Sequence, residues 1–270
     1  TTEGRRRPPN PTDPDPMNAP ERLFIADVQA SADLRNIAID EVGIKGLRYP
    51  LVVATRSGAQ HTIAEIDLAV ALPPEVKGTH MSRFVELIEA WTAPLGAASL
   101  ADLAKAMLVR LGAERGSIAL RFPLFIRKRA PVSGVESLLD YQAAARVEAR
   151  TGAAPEVTLT LVTPVTSLCP CSKEISAYGA HNQRSHVTIE ASVDALDEAF
   201  GFEDLAAIAE QAASCEVYGL LKRPDEKYVT ERAYDNPKFV EDLVRDIALG
   251  LDAHPSVRAY VAAAENFESI

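Results

Sequence analysis

Strands, a pair of helices and further strands follow one another twice along the chain, and this order restricts the fold more than any other feature. In the first half, strands are predicted at 51–55, 62–72, 117–126 and 138–147, and helices near 83–88 and 100–111. In the second half, strands are predicted at 157–162, 185–193 and 257–265, and helices at 202–214 and 237–251. This repeat predicts an α+β chain with antiparallel sheets that carry helix pairs on one face.

The domain boundaries follow from the same pattern. Residues 1–20 contain six prolines and almost no large apolar side chains. Such a segment cannot bury enough surface to offset its ordering entropy, so we expect a disordered tail. Residues 21–155 are expected to form a first module, and residues 156–270 a second module that carries the site.

Charge and cysteine content restrict the partners and the compartment. The net charge of −10 at pH 7 argues against general binding to nucleic acid or to a membrane surface, which needs a basic face. No apolar run approaches the ~20 residues of a membrane span, and no signal-peptide core is present. The three cysteines form no disulfide framework, which is typical of a reducing compartment. We therefore expect a cytoplasmic protein.

The stretch 167–186 concentrates residues that carry chemistry. It contains Cys169, Cys171, His181 and His186, and its one glycine and one proline are typical of a shaped loop. A thiolate and neutral imidazoles are ligands that a transition metal such as zinc selects. Because the cysteines are separated by one residue, they do not fit a C-x-x-C pair, and we expect only one thiol to face the site. The alternative for either thiol is a buried structural role.

Three other residues of the second half each allow two interpretations. His186, on a strand face, is either a general acid near neutral pH or a polar residue on a solvated face. Glu226, in a charged segment predicted to be a loop, is either a metal ligand or base, or a surface carboxylate. Glu241 follows a helix start predicted at Asn236-Pro237, where asparagine would cap the helix. It either accepts two parallel N–H bonds from a heterocycle such as guanine or is an exposed helix residue.

Basic clusters offer contacts for a phosphorylated substrate although the chain as a whole is acidic. The candidates are Arg184, Lys222, Arg223 and the run at 127–129. For each cluster the alternative is a solvated surface. The sequence contains neither a Walker A loop nor a G-x-G-x-x-G motif, so neither of the usual nucleotide cradles is expected.

Taken together, several segments of this sequence resemble GTP cyclohydrolase IB, the enzyme family that catalyses the first step of folate biosynthesis in bacteria and archaea. The resemblance covers residues 27–270. Its strongest blocks read KGTHMSRF at 77–84, APVSG at 130–134, LCPCSKE from 168 through to His186, and LLKRPDEK at 220–227. Such long uninterrupted blocks are far more specific than a short motif.

The resemblance implies a tunnelling fold with two modules in one chain. Subunits of that fold pair to close a β-barrel, and the barrels stack, so a homotetramer with sites at subunit interfaces is implied. The implied substrate is GTP, which is converted with water to 7,8-dihydroneopterin triphosphate and formate in the first step of tetrahydrofolate biosynthesis.

The resemblance also implies roles for individual residues. Cys169, His181 and Glu226 correspond to metal ligands, with Cys169 and His186 as catalytic groups and Glu241 as the guanine anchor. The implied cofactor is a divalent metal, zinc or manganese, with iron as a third candidate; it would lower the pKa of bound water toward ~7. The basic residues Lys222, Arg223 and Arg184 would hold the triphosphate. The family pattern continues past Ile270 with one more histidine ligand, which is therefore expected to be missing from this sequence.

Two alternatives stay open from the sequence alone. The related nitrile reductase of queuosine synthesis shares the fold and the recognition of a purine, and there Cys169 would be a covalent nucleophile. The histidines near the cysteine favour the cyclohydrolase. The other alternative is an inactive module that binds a purine or a pterin.

Overall fold

The computed structural model describes residue 29 and the ranges 31–197 and 199–267, so the predicted tail at 1–20 lies outside the described residues. The strands are β1 (Ile39–Thr55), β2 (Gly58–Leu72), β3 (Arg115–Arg129), β4 (Glu136–Arg150), β5 (Glu156–Leu168), β6 (Asn182–Val193), β7 (Cys215–Glu216) and β8 (Val257–Phe267). The helices are α1 (Met81–Ala90), α2 (Ala97–Leu111), α3 (Pro170–Ile175), α4 (Phe202–Ala212), α5 (Arg223–Asp235) and α6 (Val240–Asp252).

All strands belong to one antiparallel sheet. Its order is β1-β2-β3-β4-β5-β6-β8, and the short β7 pairs with β5. Short connections join β1 to β2, β3 to β4 and β4 to β5 as antiparallel hairpins, whereas helices intervene between β2 and β3 and between β6 and β8. The expected α+β architecture with an antiparallel sheet is confirmed.

The helix pairs lie on one face of the sheet, where the core forms. Every second residue from Val157 to Ser167 in β5 and from Ser185 to Val193 in β6 is buried, and α2 and α4 contact this face. The intervening residues are half-buried or exposed. This alternation is the period of two that a strand with one buried face requires. The predicted division of the faces of β6 is therefore confirmed.

Three local predictions were wrong. The segment after Gly219, predicted to be a loop, contains the three-turn helix α5. The helix predicted from Pro237 begins at Val240, and the side-chain amide of Asn236 instead donates to the carbonyl of Ala213 at 2.9 Å. The cysteine loop contains the one-turn helix α3 with Pro170 at its start, where the missing N–H of proline costs nothing.

Among the described residues, no helix is both long enough and apolar enough to cross a membrane.

Candidate functional site

Cys169 and His181 lie opposite each other just beyond the last β5–β6 pair, where the hairpin enters its connecting loop. The ladder between these strands runs to the pair Leu168 and Asn182. One step further on, the backbone N–H of Cys169 donates to the carbonyl of His181 at 3.2 Å. The hairpin register therefore places side by side the two residues whose thiol and imidazole the sequence analysis singled out.

Ser172 closes the loop between these two residues. Its hydroxyl donates to the Cys169 carbonyl at 3.1 Å and accepts the His181 backbone N–H at 3.2 Å. The thiol of Cys169 caps α3, since its sulfur accepts the Ser172 backbone N–H at 3.5 Å. Cys169 is half-buried, whereas Cys171 is exposed. Only the first thiol is thus held within the loop framework.

Helix α5 packs against this loop through a small apolar cluster. Leu168, Cys215 and Ala233 are buried together, and Ala180 and Val229 pack against them. Leu168 and Ala180 directly precede Cys169 and His181 in the chain, so burial of this cluster fixes the backbone from which both side chains project. Burial raises the pKa of the Cys215 thiol to about 11, and the neighbouring carboxylate of Glu216 acts in the same direction.

The ends of α5 and α6 are also tied to the loop. The ammonium of Lys173 donates to the carbonyl of Tyr234 at the end of α5 and lies 4.1 Å from the centre of the Tyr234 ring. The backbone N–H of Lys238 donates to the carbonyl of Leu168 at 3.0 Å. Glu241, in the first turn of α6, is exposed and lies three residues after Lys238. The backbone just before Glu241, the proposed guanine anchor, is therefore hydrogen-bonded to the residue that precedes Cys169.

Glu226 is exposed in the first half of α5 and shares a helix face with Val229 and Ala233, three and seven residues further on. Its carboxylate lies about one turn beyond the apolar cluster. Among residue 29 and the ranges 31–197 and 199–267, however, no group of three His, Cys, Asp or Glu residues could hold a metal ion. The donor types suit zinc, but the described residues of one chain do not close the predicted three-ligand set.

His186 is not brought to the Cys169–His181 pair. It lies five residues along β6 from His181, a separation of about 16 Å in an extended strand, and on the opposite face. Its ring packs edge-on against Phe267 with 4.7 Å between centroids. Arg184 is exposed on the same face. A substrate atom held at the pair is thus out of reach of His186 from the same chain.

Lys222 and Arg223 are exposed at the start of α5. They lie about 15 Å along the helix axis from Ala233, which packs beside the Cys169 loop. This separation is comparable to the length of an extended nucleoside triphosphate. Lys222 and Arg223 therefore lie at the start of α5, whereas Cys169 and His181 lie near its end.

Asp225 is a buried carboxylate that the sequence analysis missed. It is fully buried, and burial alone would raise its pKa. Four hydrogen bonds outweigh burial and hold the pKa well below its usual range; they come from the Ser133 hydroxyl and from the backbone N–H groups of Ser133, Lys222 and Val132. The signal was present in the sequence, because an aspartate three residues after a helix start is typical of a capping box.

A second buried polar group was also missed. Lys128, which we considered as part of a phosphate-binding cluster, forms an ion pair with Glu210 of α4. The hydroxyl of Tyr141 donates to the other carboxylate oxygen of Glu210 at 2.9 Å. Burial, together with this carboxylate, raises the pKa of Tyr141 well above its usual range. The charge of Lys128 is therefore paired within the fold rather than left free on the surface.

Comparison with solved structures defines the class of fold. A uricase from Bacillus fastidious superimposes with a TM-score of 0.52 at 13% sequence identity, over 84% of this chain and 82% of that chain. This similarity concerns the fold alone. The antiparallel sheet with its helices on one face is a tunnelling fold.

Comparison of sequences gives the particular family. The model of the family described as type I GTP cyclohydrolase folE2 matches residues 25–270, and the chain belongs to this family. GTP cyclohydrolase FolE2 1 of Dechloromonas aromatica (strain RCB) is 62% identical over 94% of this chain and 95% of that protein. GTP cyclohydrolase FolE2 of Azoarcus sp. (strain BH72) is 53% identical over 94% of each. The resemblance to a GTP cyclohydrolase that the sequence analysis noted is confirmed.

Proposed function

We propose that this chain is a GTP cyclohydrolase of the IB subtype, which converts GTP and water to 7,8-dihydroneopterin triphosphate and formate. The reaction is the first step of tetrahydrofolate biosynthesis, and the proposed location of the enzyme is the cytoplasm. The observation that carries the proposal is the family match over 25–270, within which lies the direct pairing of Cys169 with His181. The same family match favours this function over the nitrile reductase.

The substrate lies along α5 in this proposal. Glu241 accepts the N–H groups of the guanine edge, supported by the bond that joins its segment to Leu168. Lys222 and Arg223 hold the triphosphate at the far end of α5, and Arg184 is a further candidate for this role. Cationic side chains suit a triphosphate because charge-assisted hydrogen bonds are strong and directional. We do not assign protonation of guanine N7 to His186 of the same chain, because the strand separates it from the pair.

The cofactor of the proposed enzyme is a divalent metal, zinc or manganese, with iron as a third candidate. Cys169, His181 and Glu226 are its proposed protein ligands in the assembled enzyme, since the described residues of one chain do not close the set. The proposed assembly is a homotetramer in which sheets of neighbouring copies close a barrel and the sites lie at the interfaces. Support comes from the open sheet: among the strands that the structure describes, the outer strands β1 and β8 each pair with one other strand.

The test is turnover of GTP by the metal-stripped protein after zinc or manganese is added back. We expect metal-dependent formate together with a pterin that becomes fluorescent on oxidation. Cys169→Ala should abolish both products, whereas Cys171→Ala, which removes the exposed neighbouring thiol, should retain them. If neither product forms with any of the three metals while GTP still binds, the cyclohydrolase proposal is wrong and the chain is a binding module.

A further inference from the structure

The turn between β3 and β4 is built to receive Asp225. Within this turn the Ala130 N–H donates to the carbonyl of Val135 at 2.9 Å, and the Gly134 N–H donates to the carbonyl of Ala130 at 3.1 Å. Gly134 has φ +69, a conformation that side-chain-bearing residues rarely adopt. The closed turn leaves the N–H groups of Val132 and Ser133 for one acceptor, and Asp225 fills that position.

The two carboxylate oxygens of Asp225 serve different parts of the fold. One oxygen accepts both backbone N–H groups of the turn, each at 2.8 Å. The other accepts the hydroxyl of Ser133 at 2.6 Å and the backbone N–H of Lys222, the residue that caps α5, at 2.8 Å. A single buried side chain therefore joins the β3–β4 turn of the first half of the chain to the first turn of α5 in the second half.

We propose that Asp225 is a positioning residue, which holds the first turn of α5 so that Lys222, Arg223 and Glu226 face the substrate. This inference rests on the function proposed above. All three residues lie within one helical turn of Asp225, so any tilt of that turn moves them together. The bonds are charge-assisted and protected from water, which makes them rigid as well as strong.

The key variant is Asp225→Asn. The amide oxygen can still accept the two N–H groups of the turn, and the amide nitrogen can donate to the hydroxyl of Ser133. The same nitrogen would face the N–H of Lys222, so the cap bond is lost while the volume stays the same. We expect kcat/KM for GTP to fall about 10- to 100-fold, since small displacements of substrate contacts are costly. Most of the fall should appear in KM, because triphosphate contacts are displaced. Ser133→Ala, which removes one bond from the other side, should give a smaller fall of the same kind.

The matched control is Asp204→Asn. Asp204 likewise accepts the backbone N–H of the residue three positions before it, Gly201, at 2.9 Å, and it also pairs with Arg56, but α4 carries no proposed site residue. This variant should lose thermal stability and keep its kcat/KM. Hydrogen exchange gives a second readout that does not need turnover: exchange of the amides at 222–230 should accelerate in Asp225→Asn and stay unchanged in Asp204→Asn.

The outcomes separate the two proposals. If the unmodified chain turns over GTP and Asp225→Asn behaves like Asp204→Asn in both kinetics and exchange, the positioning role is wrong and the proposed function stands. An unmodified chain without activity overturns both. Faster exchange at 222–230 with unchanged kcat/KM limits Asp225 to stability and likewise overturns the inference.

Discussion

Removal of Glu210 should destabilise the protein far more than removal of an exposed carboxylate. The side chains of Lys128 and Glu210 are only 13% and 10% exposed, and Lys128 lies 5.5 Å from the centre of the Tyr218 ring. Glu210→Leu would leave the ammonium without its partner in a nearly dry environment, at a cost of about 3–5 kcal/mol. For a chain of this size, that corresponds to a fall in Tm of at least about 6 °C.

The assay is urea unfolding at fixed protein concentration, with the free energy taken from the midpoint and slope. The double variant Lys128→Met/Glu210→Leu should recover most of the loss, because it removes the unpaired charge as well. The matched control is Asp102→Ala, which breaks the exposed pair with Lys105 and should cost no more than about 1 kcal/mol. If Glu210→Leu cost no more than this control, or if the double variant were as unstable as the sum of the single variants, the reasoning would be refuted.

Three further predictions concern single groups. Cys215, whose pKa burial raises from 9.0 to about 11, should be alkylated about 100-fold more slowly at pH 8 than a thiol of pKa 9.0, and alkylation at the same rate as the exposed Cys171, followed by mass spectrometry, would contradict its burial. The carboxyl of Asp33 should titrate at about 2, because Arg35 bonds to its charged form, so its contribution to stability is present above the ordinary value of 3.8 and is lost as the pH falls toward 2. In Arg35→Ala, NMR should show this pKa moving back toward 3.8, and no movement would exclude the guanidinium as the cause. Glu241→Gln should raise KM for GTP about 10-fold or more with less effect on kcat, and an unchanged KM would exclude it as the guanine anchor.

Strands and helices with one buried face could be predicted from the sequence, because their apolar residues recur with the period of the element. The helix expected at 202–214 is observed as Phe202–Ala212, and the closing strand at 257–265 as Val257–Phe267. Helix α5 could not be found in this way. Only Asp225 and Ala233 of its residues are buried, so it has no apolar stripe.

The predicted ends of helices and strands were wrong where contacts with distant parts of the chain decide them. Asn236-Pro237 has the composition of a helix start, but Asn236 bonds to the end of α4 and instead follows the last turn of α5. Strand β1 begins twelve residues before its predicted start, at Ile39. Its first half contains two irregularities in register against β2 and lies at the edge of the sheet, where no strict alternation is imposed.

The difference between local signals and contacts with distant residues also explains what could be predicted of the candidate site. Cys169 and His181 were singled out because they are close in sequence, and the hairpin brings them together. His186 is equally close in sequence, yet the strand carries it away from the pair. The contact of Asp225 with the β3–β4 turn could not be predicted, because Val132 and Ser133 lie more than 90 residues earlier in the chain, whereas its bond to the backbone of Lys222 is local.

The pairing of β5 with β6 has a consequence for how the site tolerates change. Twelve residues of β5, from Val157 to Leu168, pair in unbroken register with β6, and the next step is the bond between Cys169 and His181. Apolar exchanges along this hairpin should leave the alignment intact, because the number of steps is unchanged. Insertion or deletion of one residue would turn the thiol and the imidazole to opposite faces, although both residues remain in the chain. The composition of the hairpin is thus replaceable, whereas its length is not.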